Sequence, residues 1–134
     1  MNQEQLKQEL KKAADGLLML SETEEAIECF FHEKPDHEPF TPDLVVKWAG
    51  KPAGKKVEVQ ELDYFFRNMV REDPDEGPQQ HEQAARFRNL VATLKELLQD
   101  VKVYKIDEIG VDVYILGRTP DGDYAGYKTI VVET

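Results

Sequence analysis

Val111-Asp112-Val113-Tyr114-Ile115-Leu116-Gly117, Thr119-Pro120-Asp121-Gly122, and the run from Tyr124 to Glu133 are the stretch on which the fold turns. Two segments rich in β-branched and aromatic residues flank a Pro-Asp-Gly turn, the composition of strands joined as a hairpin. Val101 to Ile106 adds a third such segment upstream, so the tail reads as a three-strand meander. Ahead of it, Ala84, Phe87, Val91, Leu94 and Leu98 recur at helical spacing along a predicted helix from about Gln80 to Leu98. Leu6, Leu10, Ala13, Ala14 and Leu17 do the same from Gln3 to Leu18, with Gly16 placed to interrupt or cap that helix. Thr41-Pro42 is an N-cap followed by a first-turn proline, opening a helix that carries Leu44, Val45 and Trp48 and ends at Gly50. Ile27 to His32 reads as an early strand and Val57 to Val59 as a short extended stretch. Asp63 is expected to cap a helix through Phe65, Phe66, Met69 and Val70. Helices, an early strand, helices again and a closing meander make an α+β pattern, with helices packed on a mostly antiparallel sheet.

At 134 residues the chain is expected to be a single domain, 1–134, with enough surface to bury a core. Its net charge of −10 argues against binding nucleic acid, where Lys and Arg must neutralise phosphates. The same charge would steer it toward a basic protein surface. One cysteine, Cys29, leaves no internal disulfide to form. With no leader-like opening and no membrane-length apolar run, the expectation is a cytoplasmic protein without a membrane role.

Catalytic chemistry finds little support. His32, His37 and His81 match no zinc spacing, and Cys29 with His32 is only a C-x-x-H fragment. Ser21 is the only serine and lacks a nucleophile-elbow context. Cys29 falls on the expected early strand, where a thiol serves as a small hydrophobe. Gly50 and Gly54 lack a following Lys-Ser/Thr for a phosphate loop. The expectation is no enzyme and no cofactor.

The acids are more informative by position. Most of Glu22, Glu24, Glu25, Glu28, Glu33, Asp36 and Glu38, and of Glu72, Asp73, Asp75 and Glu76, read as a solvated surface. Ser21-x-x-Glu24 also matches a capping box, which stays an alternative, but the strand-like sequence after it favours a tight acidic turn from Ser21 to Glu25, on which Glu22 would point in a fixed direction. At the other extreme, Thr129-Ile130-Val131-Val132-Glu133-Thr134 stays β-branched where termini usually fray. An ordered end would set the Thr134 hydroxyl beside its carboxylate, two hard oxygens suited to Mg²⁺. Two ligands are too few for a resident metal and better suited to plugging a metal held by another protein.

Asp15-Gly16-Leu17-Leu18 followed after two residues by Ser21-Glu22-x-Glu24 resembles the opening signature of the cyanobacterial nuclease A inhibitor family. Asp112-Val113-Tyr114-x-x-Gly117-x-Thr119-Pro120-x-Gly122, Ala125-Gly126 and Val131-Val132-Glu133-Thr134 resemble its closing signature, and Phe65-Phe66 and the helix around Phe87 extend the likeness over the chain. The resemblance implies an α/β/α sandwich that inhibits a non-specific DNA/RNA endonuclease of the ββα-metal type, as a monomer in a 1:1 complex. It implies that Glu22 meets the nuclease's catalytic arginine and that Thr134 reaches the active-site Mg²⁺, which belongs to the partner. Glu24 and Asp73 join them as candidate contacts. The family's acid-tryptophan pair on the loop before the long helix falls here at Pro74 and Asp75, and no aromatic occurs between Phe66 and Phe87. That departure leaves an inhibitor-like module with a different protein partner as the alternative. A small hydrolase using Glu22 and the histidines is the reading from another class.

Overall fold

The computed structural model describes residues 2–20, 24–35, 39–52, 54–71, 74–75, 77–106 and 111–131. α1 spans Gln3–Ala14. Its start is fixed by a reciprocal cap, in which the Gln5 N–H donates to Asn2 Oδ1 (2.9 Å) and the Asn2 N–H to Gln5 Oε1 (3.1 Å). The helix is shorter than its apolar spacing suggests. Gly16 turns the chain at a φ of +73°, and Leu18 begins a strand instead. β1 (Leu18–Leu20) and β2 (Glu24–Ala26) pair antiparallel, Leu18 opposite Ala26 and Leu20 opposite Glu24.

β3 (Glu28–His32), α2 (Pro42–Trp48) and β4 (Val57–Glu61) follow. The expected helix from Asp63 to Val70 is instead one turn, α3 (Leu62–Phe65), with Glu61 at the cap position. Asp63 sits inside that turn and binds Lys95 at 2.7 Å, while the chain leaves the helix at Phe66 to seat that ring fully in the core. α4 (Pro78–Leu97) starts with proline at its first turn, and Ala84, Phe87, Leu90, Val91 and Leu94 are buried. β5 (Gln99–Ile106), β6 (Val111–Arg118) and β7 (Tyr124–Val131) form the expected meander.

The five strands lie in the order β3-β7-β6-β5-β4, every neighbouring pair antiparallel. β7 is therefore an inner strand. Because side chains alternate across a strand, Val103, Val113, Ile115 and Tyr127 face one layer, and Tyr104, Ile106, Tyr114 and Leu116 the other. The first layer holds α1 and α4, whose Leu6, Leu10, Phe87, Leu90 and Leu94 complete the larger core. α2 covers the second with Val45 and Val46, flanked by Phe30, Phe40 and Trp48. This is an α/β/α sandwich. Gly126 is required by the close approach of β6: a Cβ there would lie 1.8 Å from the Ile115 carbonyl oxygen.

Cys29 is not a core residue as its strand context suggested. β3 pairs only with β7, so it forms an edge of the sheet, and the thiol is exposed. Trp48 is half-buried, packed against the α2-side core as expected of a core aromatic.

Candidate functional site

Strand directions gather several distant segments at one end of the sheet. β7 ends at Val131 opposite Val111, the first residue of β6. β3 starts beside the same end, with Glu28 opposite Lys128. α1 runs toward it too: Lys7 lies over the Phe31 ring, Tyr127 donates its phenol to the Leu10 carbonyl at 2.6 Å, and Leu17 and Ile27 join Val131 in the core. Burial of that phenol raises its pKa far above the ordinary tyrosine value, so it stays a donor.

α4 enters from this end. Its last turns sit near the end of β4, where Lys95 binds Asp63, and its third turn reaches back to the end of α1, where the Arg86 guanidinium donates to the Asp15 carbonyl. The segment carrying Pro74 and Asp75 thus leads into α4 on the side where β7 stops. Both residues are exposed in a turn.

The β1–β2 hairpin packs against β7 at the same end, and the Thr129 hydroxyl donates to the Ala26 carbonyl at 3.0 Å. Among the residues singled out from sequence, Glu22, Asp73 and Thr134 lie outside the described residues. The backbone of Glu24 is described, opposite Leu20 at the first position of β2. What the fold brings together is the flank of each: Leu20 and Glu24 on either side of residues 21–23, Val131 three residues before Thr134, and Pro74-Asp75 beside position 73. Segments more than a hundred residues apart in sequence share one end of the sheet.

On the face that α2 leaves open, a groove of about 330 Å³ borders this end, with Tyr114 and Ile130 among its walls and Glu25, Glu28, Asp112 and Lys128 around them. Lys51 binds Asp112 at 3.0 Å and Lys128 approaches Glu28 at 3.8 Å. Burial first, then the Asp112 charge, raises the Tyr114 pKa, so the groove presents a neutral phenol between ion pairs.

The histidines form no common site. His32 ends β3, its ring stacked on Trp48 at 4.0 Å and its Nδ1 2.7 Å from the Glu33 carbonyl oxygen. His81 lies on α4 across the sheet, and His37 is outside the described residues. Cys29 and His32 point to opposite faces of β3, which dissolves the C-x-x-H fragment. Among the described residues, no group of three or more His, Cys, Asp or Glu is placed to hold a metal, and no helix is long and apolar enough to cross a membrane.

Sequence patterning missed Thr129 and Arg86. A threonine inside a β-branched run and an arginine inside a helix look like strand and solvent residues, and only their partners 103 and 71 residues away distinguish them. No curated protein matches the chain. A family described as nuclease A inhibitor-like protein matches it over residues 4–134.

Proposed function

We propose, on the premise that this chain belongs to the nuclease A inhibitor-like family, that it plugs the active site of a metal-dependent, non-specific DNA/RNA endonuclease of the ββα-metal type. Family membership carries nuclease inhibition in general; the residues and the nuclease type are our reading. The observation that supports it is the shared end of the sheet, where the hairpin flanking Glu22 lies against the strand that leads to Thr134.

A nuclease active site is built for a phosphodiester: anionic oxygens on the metal and more negative charge against an arginine. The Glu22 carboxylate replaces the second feature, since carboxylate and guanidinium form strong, often bidentate hydrogen bonds. The Thr134 hydroxyl or a terminal carboxylate oxygen replaces the first by taking a position on the partner's Mg²⁺. Neither group offers a bond the nuclease can cleave. The net charge of −10 speeds encounter with a basic cleft. Glu24, Asp73, Pro74 and Asp75 would contribute at the rim. The chain acts as a monomer, needs no cofactor of its own and works in the cytoplasm.

One observation favours a second reading. The stretch between Phe66 and Phe87 has no aromatic, so the anchor that tryptophan supplies at many interfaces is missing from the loop before α4. An inhibitor-like module matched to a different protein would account for that loss.

Titration of the protein against a ββα-metal endonuclease encoded by the same source, with Mg²⁺ and DNA or RNA substrate, decides between them. Stoichiometric loss of cleavage is expected. Glu22→Ala should then weaken inhibition by roughly thirty- to several-thousand-fold, or ~2–5 kcal/mol. No inhibition by the wild-type chain would reject the proposal in favour of the changed partner.

A further inference from the structure

We infer that the open groove at this end of the sheet is a second contact for the nuclease and receives an arginine side chain from its rim. The inference rests on the inhibitor reading above and extends it beyond Glu22 and Thr134. Placement, chemistry and charge carry it.

Placement follows from strand alternation. Lys128 lies opposite both Glu28 and Tyr114, and Ile130 opposite Asp112, so these side chains share the face that α2 covers further along. Among the described residues, the large apolar side chains left exposed are Val59, Tyr64 and Ile130. Val59 is on the edge strand β4 and Tyr64 in the one-turn α3. Ile130, 39% exposed, is the one on an inner strand. It also precedes Thr134 by four residues. Four residues span at most ~14 Å fully extended, well inside a standard footprint of ~800 Å² per partner. A nuclease that engages Thr134 therefore has its rim within reach of the groove.

The groove holds about 330 Å³, the low end of the ~300–1,000 Å³ range of ligand pockets, which suits one long side chain. Ile130 and the Tyr114 ring form its apolar walls, and Phe30 backs that ring edge-on at 5.2 Å. The lining carries three carboxylates, Glu25, Glu28 and Asp112, against one ammonium group, Lys128. Arginine matches that sequence of surfaces. Its apolar stem lies along Ile130, its planar head stacks on the phenol ring, and its fork of donors meets the carboxylates at the rim. Lys128 is a weak competitor, since it approaches Glu28 only to 3.8 Å with the two side chains 44% and 66% exposed. A cleft built for phosphodiesters supplies basic side chains at its edge, and the groove supplies the complementary charge.

The test measures inhibition constants of groove variants against the same endonuclease, with calorimetric binding repeated in EDTA. Ile130→Thr keeps the β-branched shape on an inner strand and removes the apolar wall; it should weaken inhibition about tenfold. Glu28→Lys places a like charge against the arginine and should weaken it about a hundredfold, and Glu28→Gln by less. Both losses should persist in EDTA, because the groove does not touch the metal. Losses that vanish with the metal would mean that the variants act through Thr134, and would overturn direct contact. Normal inhibition by Ile130→Thr and Glu28→Lys overturns the groove and leaves the inhibitor reading standing. A loss for Ile130→Thr with none for Glu28→Lys overturns arginine as the occupant. Should Ile130→Thr fail to fold, the exposed Glu28 variants decide the matter alone. If the wild-type chain inhibits no nuclease, the inhibitor reading fails and the groove assignment with it.

Discussion

At the end of the sheet where β6 turns into β7, the Thr119 N–H donates to the Asp123 carbonyl (2.8 Å) and the Asp123 N–H to the Thr119 hydroxyl (3.1 Å). Asp123 also accepts from the Lys34 N–H at 3.0 Å, which ties the exit of β3 to the same turn. Phe40 stacks on Tyr124 at 4.2 Å and His32 on Trp48 at 4.0 Å. At the opposite end the β1–β2 hairpin lies against β7, where the Thr129 hydroxyl donates to the Ala26 carbonyl, and the groove beside it stays open. One end spends its side chains on closing the fold. The other presents the Lys51–Asp112 and Lys128–Glu28 ion pairs and an exposed Ile130 around an open groove, the arrangement expected of a surface that meets a partner.

This contrast can be broken most sharply at the hairpin end. On the proposed reading, in which Thr134 reaches the nuclease metal, residues appended after it collide with the nuclease floor and turn the carboxylate into a neutral amide. A C-terminal hexahistidine tag should therefore weaken inhibition by about a thousandfold, ~4 kcal/mol, while the same tag at Met1 changes nothing and neither tag lowers the melting temperature. Full inhibition by the C-terminally tagged protein would remove Thr134 from the plug.

A smaller effect, of the opposite kind, belongs to the closed end. Trp48→Ala should cost about 2 kcal/mol of stability in urea unfolding, less than for a fully buried tryptophan because the ring is half-buried. The inhibition constant of the folded protein should not move. A parallel loss of inhibition would mean that the two ends are coupled through the sheet.

The smallest effect is expected at the rim. Asp75→Ala should change the inhibition constant less than about fivefold, under ~1 kcal/mol, since Asp75 is exposed on a loop without an aromatic neighbour. A larger loss than for Glu22→Ala would move the centre of the site to that loop.

Legibility from sequence followed the length of the signal. The apolar positions of α4 and its cap repeat over about four turns, and Ala84, Phe87, Val91, Leu94 and Leu98 are all buried as read. The meander strands each carry enough β-branched residues to show their period. β1 and β2, at three residues each, are too short for any period, so Leu18 reads in sequence as the end of the preceding helix. α3 failed for a different reason: the helical spacing through Phe66 and Val70 is present, but Phe66 is drawn into the core after one turn. Of the candidate site, the acids were visible as residues, whereas their geometric relation was not. Thr129 gave no signal because a core threonine and an anchoring threonine look alike in a strand.

The chain's sequence by itself determined the main elements, the acidic charge and the motifs that carry the family, because propensity, turn chemistry and net charge are local or additive. Only the tertiary structure decided that β7 lies between β3 and β6, and so that the end of the last strand meets a hairpin from the first quarter of the chain. Strand order is set by pairing between residues about a hundred positions apart, through backbone groups that are the same at every residue. No local pattern can encode that choice.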